Sequence, residues 1–465
     1  MTDNVLNQVV AKGLCIGCGA CATICPGAAL HVTWNHEEGM PQAMRWDNTS
    51  DCDKECGLCL RVCPFSRETR SSEAIAEALF SRSAGIKYHH EGGYWLNAFV
   101  GFSPDEAIRE RAASGGMVTY WLKHLMESRQ ITGAICVGST HGTKTDEGPL
   151  FSYRICRDIS AIMDCSGSAH YPVGMESALR ELLDTPGRYA MVALPCMAKA
   201  LRLLCERNRT IRERLVFVFG LVCGQVKTAH FSEFIAAKCG LSHLQNIKFR
   251  VKSPQYPTAN FGVRVSGPSG SEKLINFNEL SRFWSDRYFT PQACNYCADL
   301  FAETADAAFM DAWSPGLEND WRGWSYVIVR NPVLLGMFEE ASGILPVAIN
   351  QVDFQKVISS QAFALTSKRE DIHWRLKQAK KELGYTFRVL PALRQPRISR
   401  RLITETTLSM SQLSNKQWIK YRFKVLPFLR SMSYLRLKIE GARQVWRIAK
   451  LAALVKEKLG LTPDE

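Results

Sequence analysis

Eight of the 17 cysteines crowd between positions 15 and 63. Cys15, Cys18, Cys21 and Cys25 stand in the spacing C-x2-C-x2-C-x3-C-P, closed by Pro26. Cys52, Cys56, Cys59 and Cys63 follow as C-x3-C-x2-C-x3-C-P, closed by Pro64. Three thiolates on one tight loop cap three corners of an iron–sulfur cubane, and the fourth, just before a proline, points to the other cluster. Cys15, Cys18, Cys21 and Cys63 are therefore expected to hold one 4Fe–4S cluster, and Cys25, Cys52, Cys56 and Cys59 the second. Gly17, Gly19 and Gly57 let the backbone approach the sulfurs and aim amide N–H groups at them. Structural zinc takes four ligands, usually as two separated Cys pairs, and fits this arrangement far less well. Cys52 departs from the pattern by one residue. Two such clusters carry single electrons and leave organic chemistry to the rest of the chain.

Cys294 and Cys297 form half of another metal site, C-x2-C, followed by Asp299, Glu303, Asp306 and Asp311. Its remaining ligands would come from Cys196, Cys223 and Cys165; the alternative is that all are small buried hydrophobes. Ser114-Gly115-Gly116 opens a helical pattern carrying Val118, Trp121, Leu122, Leu125 and Met126 on one face. A Ser N-cap with two glycines exposes backbone N–H groups to an anion, or is a plain cap. Neither a G-x-G-x-x-G after a strand nor a phosphate-binding G-x-x-x-x-G-K-[ST] occurs.

The elements that must position these groups read as α/β. ITGAICVG, RYAMVALP and LVFVFGLVCG predict buried strands, alternating with helices over MAKALRLLCER and HFSEFIAAKCG, with Pro195-Cys196 as a turn. That alternation predicts a largely parallel sheet, with ligands beyond the carboxyl ends of strands, where Cys196 and Cys223 fall. The expected division is a ferredoxin-like two-cluster domain over 1–70, a polar connector over 71–97, an α/β domain over 98–385 and a basic helical tail over 386–465. The net charge of +13 is concentrated in that tail, whose 17 Lys and Arg against 5 Asp and Glu give +12. A uniform nucleic-acid-binding surface is excluded by that asymmetry. In the tail Leu435, Ile439, Ala442, Trp446, Ala449 and Ala453 form one stripe, and Arg436, Glu440, Arg443, Arg447, Lys450 and Glu457 another. Such a helix over 430–460 either lies on an anionic membrane surface or packs its apolar stripe on the body. No run reaches membrane-spanning length and the N-terminus lacks a signal-peptide pattern, so the cytosol, with peripheral contact at the inner membrane face, is the expected location.

SGGMVTYWLKHLME, ALPCMAKALRLL, FGLVCG, FRVKSP, CNYCADLFAETADAAFMDAW and GWSYVIVR occur in that order. Behind the double cysteine run, this set resembles the coenzyme F(420) hydrogenase/dehydrogenase beta-subunit family over roughly residues 10 to 345. The resemblance implies FAD, iron–sulfur clusters and two-electron chemistry. It implies flavin contacts from Ser114, Gly115, Gly116 and Thr119 and from the Gly167-Ser168 turn. His170 stands where a lysine is common and is a candidate proton donor or a backbone partner. Leu194 replaces a threonine in the turn Leu194-Pro195-Cys196, and Met310-Asp311 departs from Gly-Asp. Arg250 and Lys252 match a basic pair facing flavin or an anionic substrate. Cys223, Cys294 and Cys297, with Cys196 or Cys165, would hold a third 4Fe–4S cluster. The implied path runs from a ferredoxin-type donor through the clusters to FAD, and on to a small-molecule or lipid-linked substrate, polysaccharide biosynthesis being one setting for the family. The alternatives are an electron-transfer subunit of a larger complex and a membrane-associated redox sensor or scaffold.

Overall fold

The computed structural model describes residues 3–46, 56–140, 148–345, 348–384 and 398–458. The cysteine-rich segment turns at Gly17 (φ 64°) and Gly19 (φ 85°) into the short helix Ala20–Ile24. A Cβ on Gly17 would lie 2.2 Å from the Pro41 carbonyl oxygen, and one on Gly19 2.7 Å from Glu176 Cβ, so only glycine fits. An antiparallel hairpin, β1 (Leu30–Asn35) and β2 (Met40–Arg45), follows. Gly57, also at positive φ, leads into the turn of helix Leu58–Arg61.

The segment expected to be a polar connector is folded. Ser71 caps helix Ser72–Phe80, its Oγ accepting from the Ala74 N–H. The hairpin β3 (Lys87–His89) and β4 (Gly93–Trp95) then feeds β5 (Asn97–Gly101). What the linker reading lacked was the tertiary cover: Ile75, Ala76 and Phe80 are buried.

β5 begins an eight-stranded sheet with β6 (Gly133–Ser139), β7 (Phe151–Cys156), β8 (Tyr189–Ala193) and β9 (Leu215–Leu221). A separate antiparallel sheet of β10 (Asn246–Val251), β11 (Gly262–Ser266) and β12 (Glu272–Asn276) intervenes. β13 (Ala307–Asp311), β14 (Ser325–Val329) and β15 (Ile349–Gln351) complete the large sheet in the order β15-β5-β14-β13-β9-β8-β6-β7. Only its centre is parallel, through β6–β8, β8–β9 and β9–β13; the remaining four pairs are antiparallel. The expected largely parallel sheet is thus a mixed one. The reason is visible at β13 and β14: loop 312–324 between them carries no crossover helix, so the chain returns antiparallel. Between β8 and β9, helix Pro195–Arg207 supplies the crossover.

Helix Met117–Glu127 buries Met117, Trp121, Leu122 and Leu125, and Trp121 stacks on Phe338 at 3.9 Å. The ferredoxin-like segment is not a satellite. Its Val5, Leu14, Leu60, Val62 and Phe65 share one apolar core with Leu179, Leu201 and Phe231 of the body. Polar ties cross the same seam: Val32 N–H donates to Glu176 (2.7 Å) and Lys199 Nζ to the Pro64 carbonyl (2.8 Å).

The tail forms helices Ile398–Lys420, Val425–Ser431 and Ser433–Lys458. Trp418 is fully buried edge-on to Phe234, and its Nε1 donates to Glu233 at 2.9 Å. Leu435, Ile439 and Ala442 are buried too. The first half of the apolar stripe that either of two surfaces could have claimed in the sequence therefore packs on the body. Arg443 pairs with Asp286, and Glu440 with Arg282, across that contact.

Candidate redox site

Cys15, Cys18, Cys21 and Cys63 gather beneath the first hairpin, the arrangement expected from the spacing. Each is almost fully buried. The Cys21 thiol lies in the electrostatic field of Cys18, Cys15, Cys63 and Cys59. Gly17 N–H donates to Cys15 Sγ at 3.3 Å, the kind of amide–sulfur bond expected of the glycine turns. Burial pushes the Cys18 thiol up to about 12 and raises Cys15, Cys21 and Cys63 as well. Left alone they are thiols; ligation must displace their protons. Of the second set, Cys25, Cys56 and Cys59 are half-buried, and Cys25 Sγ accepts from Ala29 N–H at 3.3 Å. Cys52 lies outside the described residues.

The four body cysteines come together from three separate elements. Cys196 stands in the first turn of helix Pro195–Arg207, not in a turn as expected, because Pro195 occupies the first helical position, where its missing N–H costs nothing. Cys223 follows β9, Cys294 lies within the 3-10 turn Gln292–Tyr296, and Cys297 caps its end. All four line one pocket, together with Ile16 and Phe65 of the ferredoxin-like segment. Burial and the neighbouring Cys297, Cys294 and Cys223 hold the Cys196 thiol well above its ordinary range, with Cys18 also in range. Cys165 is elsewhere: Arg154 Nε donates to its sulfur at 3.0 Å, and Cys156 Sγ is 3.6 Å away. Of the two candidates, Cys196 is the one that lies with Cys223, Cys294 and Cys297.

Around this quartet the chain buries three cations. Lys227 and Lys368 are at most 3% exposed and Arg287 6%. Lys227 donates only to neutral groups, the Tyr288 carbonyl at 2.7 Å and Thr290 Oγ1 at 3.2 Å among them. Arg287 Nε donates to Asn295, and its Nη2 has no partner. Lys368 sits on a π-helical turn, Thr366–Glu370, facing Cys297, Cys223 and Cys294. None of the three pairs with a carboxylate among the described residues. A buried, uncompensated cation costs roughly several kcal/mol, so a buried anion here would relieve all three; without one, burial drives the Lys227 pKa well below its ordinary value. A cubane on four thiolates carries net negative charge and fits that cage. A single metal ion does not: among the described residues no three Cys, His, Asp or Glu close to the spacing one ion needs, whereas a cube spreads its ligand sulfurs further apart. Sequence reasoning missed all three: Lys368 lies far from any cysteine motif, whereas Lys227, four residues after Cys223, and Arg287, seven before Cys294, stand close to one.

A second neighbourhood collects the residues expected to meet flavin or substrate. Gly116 (φ 80°), with no side-chain cap, opens helix Met117–Glu127. The expected Ser114 cap is absent: its hydroxyl donates to the Trp324 carbonyl at 2.7 Å. Gly115 is pressed against Gly101 and Ser325, where a Cβ would lie 2.7 Å from the Gly101 carbonyl oxygen. Lys252 does not face an open site either. Its Nζ donates to the carbonyls of Arg109, Ser114 and Arg322, so all three of its donors brace the Ser114 loop. Burial and the nearby Arg250 and Arg109 bring its pKa down to about 7.

Arg250 is different. It sits in the β10 bulge with a left-handed φ of 55°. Nη1 donates to Asp311 at 2.7 Å, while the buried Nε and Nη2 have no partner. The guanidinium lies over the Phe261 ring. Ser168, next to Gly167 (φ 125°), bridges to Phe249, so that turn runs beside Arg250. Thr119 Oγ1 and Ser166 Oγ are 3.4 Å apart. His170 stands between the edges of Phe249 and Trp284. Burial and the positive charge of Arg250 lower its pKa to about 3, so the expected imidazolium proton donor is a neutral ring at pH 7.

The family model for the C terminus of the coenzyme F420 hydrogenase/dehydrogenase beta subunit matches residues 187–353, and that for its N terminus matches 98–180. Together they span more than half of the chain. A 4Fe-4S dicluster domain model matches residues 14–66, and the chain binds 4Fe–4S clusters there. A coenzyme F420-dependent sulfite reductase of Methanocaldococcus jannaschii is 24% identical over 345 residues, 70% of this chain. This chain spans only 45% of that relative's length. One of the subunits of the F(420)H(2) dehydrogenase of Methanosarcina mazei is 22% identical over 329 residues, covering 70% of this chain and 82% of the relative. A chain of the F420-reducing [NiFe] hydrogenase complex of Methanosarcina barkeri aligns at 16% identity and a TM-score of 0.48, over 67% of this chain and 99% of that one.

Proposed function

The chain belongs to the coenzyme F420 hydrogenase/dehydrogenase beta-subunit family, and on that premise we propose that it is an electron-transfer subunit of a larger oxidoreductase complex. One observation carries the reading. The quartet Cys196, Cys223, Cys294 and Cys297, caged by buried cations, lies against the ferredoxin-like segment, with Cys18 in range of Cys196. Cys15, Cys18, Cys21 and Cys63, then Cys25, Cys52, Cys56 and Cys59, hold the two N-terminal clusters, and the quartet holds a third. The covalent chain is thereby a wire from its surface to the interior of the mixed sheet.

At the inner end we assign a flavin, FAD. When bound, such a group exchanges electrons in pairs with an organic partner and singly with iron–sulfur clusters. The unpartnered Nε and Nη2 of Arg250 suit an anionic acceptor, which a pyrophosphate or a reduced ring supplies. The uncapped amides at Gly116, with Thr119, Gly167 and Ser168, complete the cradle. Lys252 and Ser114 hold the loop that presents it. His170, as a neutral ring, offers a hydrogen bond without a second positive charge. Phe249, Phe261 and Trp284 exclude water around it.

The relatives' names place coenzyme F420 first among two-electron partners to try. They give no support to polysaccharide biosynthesis. A stand-alone reductase, fed by a ferredoxin-type donor and acting on a small-molecule or lipid-linked substrate, is the second reading; the fused dicluster segment favours it. Mixing anaerobic holoprotein with reduced coenzyme F420 in a stopped-flow spectrometer separates them. Rapid flavin and cluster reduction, with electrons accumulating until an external acceptor is added, supports the relay. Absence of any reduction, together with turnover of an organic substrate from reduced ferredoxin alone, overturns it.

A further inference from the structure

The last helix, Ser433–Lys458, has a second apolar face that the body does not cover. Tyr434, Leu437, Val445, Ile448 and Leu451 are 52% to 74% exposed. At 100° per residue they fall on one side, opposite the buried Leu435, Ile439 and Ala442. From 434 to 451 the stripe is about 25 Å long at 1.5 Å per residue. Exposed Leu426, on the preceding helix Val425–Ser431, adds to the same end of the molecule.

We propose that this face lies in the interface of an anionic lipid bilayer. Charge complementarity selects that occupant. Arg436 and Arg447 border the stripe on one side and Lys438 on the other, and Arg430 and Lys424 flank Leu426. The one acidic residue between 424 and 452, Glu440, is already paired with Arg282 of the body. Long cationic side chains beside an apolar stripe reach phosphate headgroups while the stripe enters the acyl boundary. Tyr434, an amphipathic ring at one end, suits the headgroup level. No described helix is long and apolar enough to cross a membrane, so the contact is peripheral. Docking here is independent of the electron path: it places the wire at a membrane without changing its cofactors.

The test is co-sedimentation of anaerobic full-length holoprotein with phosphatidylcholine vesicles, with and without phosphatidylglycerol. The comparison is the double variant Leu437→Glu/Ile448→Glu, whose exposed positions leave the fold intact. The proposal expects wild type to pellet with the anionic vesicles only, binding to weaken as salt rises, and the double variant to bind at least roughly tenfold less. It is overturned if wild type ignores anionic vesicles, or if the double variant pellets equally well. It is also overturned if wild type self-associates through this face in vesicle-free sedimentation and the double variant abolishes that association.

Discussion

Arg250 and Lys252 are two residues apart, and the sequence presents them as a basic pair, yet their chemistry diverges. Lys252 spends its donors on three carbonyls, whereas Arg250 keeps two buried N–H groups unsatisfied. Arg250→Ala should therefore weaken FAD retention by roughly tenfold or more, as expected for a lost charge-assisted bond. Flavin fluorescence released on dilution reads this out. Arg250→Lys should not restore it, because an ammonium lacks the planar fork. The cation cage gives a second expectation. Lys368→Met removes a positive charge facing Cys297, Cys223 and Cys294. It should lower the potential of the core cluster by tens of millivolts, where about 59 mV is a tenfold change for a one-electron couple. An EPR-monitored redox titration reads the shift, and an unchanged potential would remove Lys368 from the cage. The cysteines were legible because ligand spacing is local and thiolate chemistry is specific. Lys368 was not, since its meaning lies in the distant cysteines it meets.

At the scale of elements, Glu233 ties the tail to the body. Burial would raise its carboxyl, but hydrogen bonds from His230 and Arg422 hold it at about 2, against 4.5 for an unperturbed glutamate. Because the folded value is the lower one, the unfolded chain takes up the proton first on acidification. The stabilisation is complete above pH ~4.5 and is lost as pH falls toward about 2. Trp418, which donates to the same carboxylate, should report undocking in that window as a red-shifted fluorescence. Glu233→Gln should flatten the pH dependence there. Strands and helices of the body were legible from their apolar runs, and Cys196 and Cys223 do follow strand ends. The sheet's mixed order was not, because it depends on which loops lack a crossover helix, as between β13 and β14. The folded 71–97 segment was missed for a related reason: its polar composition hides Ile75, Ala76, Phe80 and Leu96, which are buried.

At the scale of the whole molecule, the ferredoxin-like segment and the body share one core, so on the proposed reading clusters held at their seam would be structural as well as electronic. Stripping iron should therefore expose residues 3–70 to proteolysis while residues 98–353 persist, since a segment of that size with a small core depends on its metal. Digestion intermediates mapped by mass spectrometry would show it, and equal resistance before and after stripping would argue against it. The division into a dicluster segment and an α/β body was plain in the sequence; their fusion across Lys199, Glu176 and Phe65 was not, because no local pattern encodes a seam. The decisive measurement is iron and acid-labile sulfide per chain in air-excluded protein, wild type beside Cys196→Ser and Cys165→Ser. A chain with a core cluster at the quartet holds about 12 iron atoms, at four per cubane, falling to about 8 in Cys196→Ser and unchanged in Cys165→Ser. About 8 in all three would contradict it.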